Sequence, residues 1–219
     1  MSVFSGKRLS PAIFQIDAER MRKGWYSDVY FANTVKVLQT LASEGHTFQG
    51  ESQLPHSVVQ DVNNGDLVVP DGIGVVLASK FYGIPIKERV AGCDLMNSLL
   101  EIAYTQERSI YFLGGREGVA EEAVHNLKQK YPGIKVAGFH HGYFDQDEEK
   151  KIIDEIIKNK PDIIFVALGA PKQEKWIWDN KDKLGAKIAM GVGGSLDILA
   201  GRAKRAPEFF RKAGLEWFY

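Results

Sequence analysis

The rhythm of apolar and polar positions changes near Asp66. From there onward, short and nearly unbroken apolar runs alternate with stretches whose apolar residues recur every three or four positions. The runs of the first kind begin at Asp66-Leu67-Val68-Val69 and continue at Ser109 to Leu113, Lys135 to Phe139, Ile163 to Leu168 and Lys187 to Met190. They predict strands covered on both faces. Between them lie predicted helices. One carries Val75, Val76, Ala78 and Phe81 on one side. Another, from about Glu117 to Lys130, spaces Val119, Ala123, Leu127 and Tyr131 helically and is stopped by Pro132-Gly133. A third, Asp147 to Lys160, has Ile152, Ile153, Ile156 and Ile157 on its stripe, with Asp145 or Asp147 as its cap. Strand followed by helix, repeated, predicts an α/β fold: a Rossmann-like parallel sheet with helices on both faces.

The first 60 residues follow another pattern. Ala18 to Trp25 is basic and helical, Tyr30 to Ser43 reads as a second helix with Phe31, Val35, Leu38 and Ala42 on one side, and Glu44 to Pro55 reads as a loop. No strand is predicted before Asp66. The division is an atypical helical N-terminal segment, 1–60, and a core, 61–219.

Composition narrows the function classes. A chain of 219 residues supports one sizeable α/β core. Lys+Arg and Asp+Glu are equal at 28 each, so no bulk field draws nucleic acid or anionic lipid. The one cysteine, Cys93, excludes an internal disulfide and fits a reducing compartment. No apolar run reaches the roughly 18 residues that span a bilayer, and no signal-peptide core opens the chain. A cytoplasmic location is expected.

The candidate chemistry gathers at strand ends. In an open α/β sheet, ligands bind where parallel strands end and helix N-termini present amides. Val166 to Trp176 is such a place: the strand ends at Leu168-Gly169, the chain turns at Pro171, and Gln173 sits in the first helical turn. Gln173 there either reaches a ligand or belongs to a solvated helix start with Pro171 at its first position. Gly114-Gly115, Gly169-Ala170 and Gly191-Val192-Gly193-Gly194-Ser195 are three glycine turns at one sheet edge, where amides can approach an anion closely. Single glycine turns also simply end strands; three together favour a nucleotide or phosphate pocket. None matches the phosphate-loop or full dinucleotide pattern, which disfavours an ATPase or a nicotinamide dehydrogenase. Asp71, between Pro70 and Gly72, is either a general base or a helix cap. Arg89 is either a phosphate fork or half of a surface salt bridge with Glu88 or Asp94. Adjacent His140 and His141 point oppositely on an extended chain, and no Cys or acidic cluster completes a site, so they read as pocket lining or turn residues and no metal is expected. The segment Arg202 to Lys212, basic and interleaved with Phe209 and Phe210, either docks on a membrane or is a solvated helix packing its aromatics on the core.

Taken in order, Pro70-Asp71-Gly72, Glu88-Arg89-Val90-Ala91-Gly92, His141-Gly142-Tyr143-Phe144, Val166 to Trp176, Gly191 to Asp197 with Ala200-Gly201, and Arg205-Ala206-Pro207 resemble the WecG/TagA/CpsF glycosyltransferases over about 66–219. The resemblance implies a compact Rossmann-like domain. It implies transfer of an N-acetylmannosamine-type sugar from a UDP-sugar donor to polyprenyl-diphosphate-linked GlcNAc, at the cytoplasmic membrane face, in teichoic acid or related polymer synthesis. It implies Asp71 as the base of an inverting mechanism, Arg89 and Gln173 as pocket residues, and Gly114, Gly115, Gly191, Gly193, Gly194 and Ser195 as the cradle of the UDP moiety. No cofactor is implied, and relatives suggest self-association as a homo-oligomer. Two departures stand out. The family's upstream Thr-Pro-Asn motif has no counterpart here, and Gly24 to Phe31 instead faintly resembles some nicotinate phosphoribosyltransferases. Family chains also continue past Leu215-Glu216-Trp217 into a basic region that reaches the membrane. These departures keep open a noncatalytic nucleotide-binding or assembly module as the alternative.

Overall fold

A computed structural model describes residues 12–16, 67–69 and 89–207. Among them, one sheet is built from β1 (Ala12–Ile16), β2 (Leu67–Val69), β3 (Ser109–Gly114), β4 (Lys135–His140), β5 (Ile163–Ala167) and β6 (Ile188–Gly191). The lateral order is β2-β1-β6-β5-β3-β4. Strands β6, β5, β3 and β4 run parallel, whereas β1 is antiparallel to both of its neighbours. The helices are α1 (Gly92–Thr105), α2 (Val119–Lys130), α3 (Gln146–Asn159), α4 (Lys172–Leu184) and the single turn α5 (Ser195–Leu199).

The apolar runs form strands because both of their faces are covered. Alternate residues of a strand point to opposite faces. Ile110, Phe112, Ile163, Phe165, Ile188 and Met190 therefore share one side, where they meet Met96, Leu99 and Leu100 of α1 and Val119, Ala123 and Leu127 of α2. Tyr111, Leu113, Ile164, Val166 and Ala189 share the other, against Ile152 and Ile156 of α3 and Trp176, Ile177 and Leu184 of α4. Phe112 and Phe165 stack across β3 and β5 at 5.4 Å between ring centroids, a contact worth about 1 kcal/mol beyond its burial. The four strands β3 to β6 form the predicted parallel sheet with helices on both faces, and β1 adds an antiparallel strand beside β6.

Two elements differ from the sequence reading. A strand does precede Asp66: β1 pairs with β6 through Phe14↔Met190 and Ile16↔Ile188, and with β2 through Ile13↔Val68. Its run of five residues, just after Pro11, carries too little pattern to announce a strand whose partner lies at the far end of the chain. The 1–60 segment thus contributes a strand to the core sheet. The second element is α1, whose Met96, Leu99, Leu100 and Ala103 recur at helical spacing. The predicted helices around Ala18 to Trp25, Tyr30 to Ser43 and Val75 to Phe81 lie outside the described residues, as does the phosphoribosyltransferase-like stretch Gly24 to Phe31.

Of the two capping candidates for α3, Asp145 is the cap: its Oδ1 accepts from the backbone N–H of Asp147 at 3.0 Å and of Glu148 at 2.9 Å. At the amino edge of the sheet, Asp162 ties three strands together. Its Oδ2 accepts from Ser109 N (2.9 Å) and Ser109 Oγ (3.2 Å), and its Oδ1 accepts from Lys187 Nζ at 2.5 Å. Burial raises the pKa of this carboxyl, but the bonds from Lys187 and Ser109 together outweigh it and hold the group below its ordinary value.

The connections place the site. The chain moves from β3 through α2 to the edge strand β4, then returns through α3 past β3 to β5 and onward through α4 to β6. The direction of travel reverses between β3 and β5, which makes their carboxyl ends the topological switch point where α/β sheets open a ligand crevice.

Candidate functional site

At that switch point the ends of β3 and β5 touch backbone to backbone. Gly114 adopts φ +133°, and a Cβ there would lie 2.3 Å from the Ala167 carbonyl oxygen. The next amide, Gly115 N–H, donates to that same oxygen at 3.0 Å, and Gly142 N–H donates to Gly115 O at 2.8 Å. Glycine is required at 114 by this close approach and at 115 by Val119, whose side chain would lie 2.9 Å from a Cβ, and both residues adopt positive φ. The Gly115 amide is accordingly engaged within the fold.

The turn after β4 leans on the same place. A Cβ on Gly142 would meet Leu168 at 3.0 Å and Gly114 Cα at 3.2 Å. Lys172, at the start of α4, lies over the Phe144 ring at 5.2 Å. Tyr143 is 70% exposed at this edge. The reading of His140 and His141 as oppositely directed is overturned here. Their ring centroids are 4.3 Å apart, because β4 ends at His140 and the extended alternation ends with it. The His140 Nδ1–H donates to His141 O at 2.9 Å, and its Nε2 stands 3.5 Å from Glu148 Oε1. Glu148 is thus an acidic neighbour of the pair. One nitrogen of each ring and one Glu148 oxygen lie within 4.8 Å of one another, a donor set a divalent ion accepts. The His141 Nδ1 already accepts from Tyr143 N–H at 3.3 Å.

The turn between β5 and α4 meets the glycine turn after β6 through one side chain. Gln173 is 1% exposed and Glu174 2% exposed, although both stand in the first turn of a helix with an otherwise charged surface. Gln173 Oε1 accepts from Gly193 N–H at 3.2 Å, and Gln173 Nε2 donates to Glu174 Oε1 at 2.8 Å. A Cβ on Gly191 would lie 2.8 Å from Gln173 Nε2, so the small residue at 191 makes room for the carboxamide. Gln173 is therefore not part of a solvated helix start: its side chain is enclosed and braces one turn against the other. Pro171, expected at the first helical position, instead precedes the helix as its N-cap, joined to Ala170 by a cis peptide bond. Within the glycine turn, Val192 N–H donates to Val166 O at 2.8 Å and Ser195 N–H to Val192 O at 3.0 Å.

The remaining motifs close around α1. This helix ends at Thr105, four residues before β3 begins, so its first turn lies toward the carboxyl edge of the sheet. Arg89, half-buried, stands just ahead of it. Asp94, one of the two partners the sequence offered for Arg89, has its Oδ1 2.6 Å from Arg205 Nη1. Arg202 forks onto Glu122 of α2, Nε to Oε2 at 2.6 Å and Nη2 to Oε1 at 2.8 Å. These bonds hold the Glu122 carboxyl below its usual range. The first part of the basic segment is therefore strapped to α1 and α2 and is not helical through Pro207; residues 208–219 lie outside the described residues. So does Asp71, two positions after β2. Among the described residues, no helix is long and apolar enough to cross a membrane.

Comparison with known proteins agrees with this arrangement. Residues 38–219 match the model of the glycosyl transferase WecG/TagA/CpsF family, a span that begins earlier than the motifs alone indicated. A Staphylococcus aureus (strain MRSA252) protein named N-acetylglucosaminyldiphosphoundecaprenol N-acetyl-beta-D-mannosaminyltransferase is 43% identical over 158 residues, 72% of this chain and 61% of that protein. A Bacillus spizizenii protein of the same name is 40% identical over an equal span. The chain thus spans about three-fifths of the length of these relatives.

Proposed function

The chain belongs to the WecG/TagA/CpsF glycosyl transferase family, and on that premise we propose that it transfers an N-acetylmannosamine-type sugar from a UDP-sugar to a polyprenyl-diphosphate-linked GlcNAc. The observation that carries the reading is the ordered motif set itself, at 40–43% identity to relatives named for that transfer. The donor lies at the switch-point crevice, among Gly114, Gly115 and the turn from Gly191 through Gly193, Gly194 and Ser195, with Arg89 as a fork for the diphosphate. Gln173 serves this crevice by bracing the Gly193 turn.

The reaction is an inverting displacement. An acceptor hydroxyl oxygen bonds to the anomeric carbon of the donor while the bond from that carbon to the diphosphate oxygen breaks. The electron pair leaves with UDP. The hydroxyl proton passes to the Asp71 carboxylate, acting as general base. The acceptor's polyprenyl chain requires a lipid surface, and the enzyme works there as a peripheral protein on the cytoplasmic side. The product feeds a cell-surface polymer of the teichoic acid type.

Titration of UDP while following thermal unfolding tests the donor half of this reading. A specific site raises the melting temperature with ligand concentration. UDP should do so and AMP should not; equal or absent shifts would remove the UDP pocket.

A further inference from the structure

We propose that Glu174 is a positioning residue that sets the orientation of the Gln173 carboxamide and, through it, the shape of the glycine turn from Gly191 to Ser195. As an effect on catalysis this rests on the nucleotide-sugar reading of that turn, while the positioning itself does not. A carboxylate at a helix start ordinarily finds water, and Glu174 is only 2% exposed. It is directed inward, where its Oε1 takes the Gln173 Nε2–H at 2.8 Å.

The two ends of a carboxamide differ chemically, and a carboxylate is an acceptor only. Only the NH2 end of Gln173 can face Glu174; the flipped amide would set oxygen against oxygen there and donor against donor at Gly193. With the NH2 end fixed, Oε1 faces the Gly193 N–H at 3.2 Å. The turn is moulded on this arrangement. Gly193 sits at φ +47°, and a Cβ on Gly191 would strike Gln173 Nε2 at 2.8 Å. The contact to Glu174 at 2.8 Å is shorter than the one to Gly193 at 3.2 Å, so Glu174 is the closer constraint on which way the amide points.

The test uses the full chain, with amide exchange at Gly193 followed by NMR and the KM for UDP-sugar measured beside it. In Glu174→Leu, Gly193 exchange should rise roughly tenfold, the loss of about one net hydrogen bond. KM should rise by a similar factor, with kcat changed less. In a Gln173→Leu background the same Glu174→Leu change should raise Gly193 exchange no further, because Glu174 reaches that amide through Gln173. Should Glu174→Leu fail to fold, the reciprocal exchange decides. Gln173→Glu alone sets carboxylate on carboxylate and should lose Gly193 protection. Adding Glu174→Gln restores a donor facing an acceptor and should recover it. Unchanged Gly193 exchange in Glu174→Leu, independent additive effects in the double variant, or no recovery in the exchanged pair would each overturn the proposal. If the Gly193 results hold while UDP fails to stabilise the parent protein, the nucleotide reading falls and the positioning role of Glu174 stands.

Discussion

Arg205 Nη1 meets Asp94 Oδ1 at 2.6 Å, and the pair joins the segment that leaves α5 to the first turn of α1. Two motifs far apart in the chain, the one that ends at Arg89 to Gly92 just ahead of Asp94 and Arg205 to Pro207, meet at one edge of the sheet through this contact. The Asp94 side chain is 57% exposed, so solvent screens the pair and its coupling should stay below about 1 kcal/mol. Asp94→Asn, Arg205→Gln and the double variant, compared by urea denaturation, measure it. The coupling should also shrink in high salt. A coupling above that range would show that the pair is more deeply desolvated than its exposure indicates.

Gly114 and Gly185 separate two reasons for glycine. At Gly114 a Cβ would strike Ala167 O at 2.3 Å, whereas at Gly185, the αL cap of α4 with φ +64°, nothing lies within 4 Å of one. Gly185→Ala should therefore cost only the left-handed backbone penalty of about 1–2 kcal/mol. Gly114→Ala adds a backbone clash at the joint of β3 and β5 and should exceed about 4 kcal/mol. Denaturant midpoints at constant slope distinguish the two; equal losses would deny that the strand ends are packed as closely as described.

Asp162 makes stability depend on pH in a definite direction. Its folded pKa is depressed by Lys187 and Ser109 in spite of burial. Its contribution is therefore fully present above the unfolded value near 4 and is lost as pH falls through the lower folded value. Asp162→Asn should destabilise by about 1–3 kcal/mol at pH 7, and the gap between parent and variant should narrow steadily below about pH 4. A gap that widens on acidification would reverse the sign and contradict the network.

Much of this architecture is legible locally. The runs at Ile110 to Leu113 and Ile163 to Val166 are buried on both faces, so each carries its own evidence for a central parallel strand. Asp145 announces α3 because a cap and the helix it caps are neighbours in sequence. What escapes the sequence is contact between distant segments. Residues Ala12 to Ile16 form a strand because β6 offers an edge. The burial of Gln173 depends on Gly191 leaving a space its own helix does not reveal. The two histidines converge because β4 ends between them, a one-residue detail finer than a pattern of alternation can resolve. The glycine turns stand out in the sequence, but that Gly115 uses its amide to hold the ends of β3 and β5 together does not.

The central claim is sugar transfer with Asp71 as the base, and one measurement addresses it most directly. Radiolabelled UDP-N-acetylmannosamine is incubated with polyprenyl-diphosphate-linked GlcNAc in detergent, with the parent chain and with Asp71→Asn, and the disaccharide lipid is counted. The account predicts product from the parent, a rate lower by about 10²–10⁴-fold in Asp71→Asn, and the same UDP-dependent thermal shift in both. No product from a parent protein that binds UDP, or an Asp71→Asn rate equal to the parent's, would contradict it.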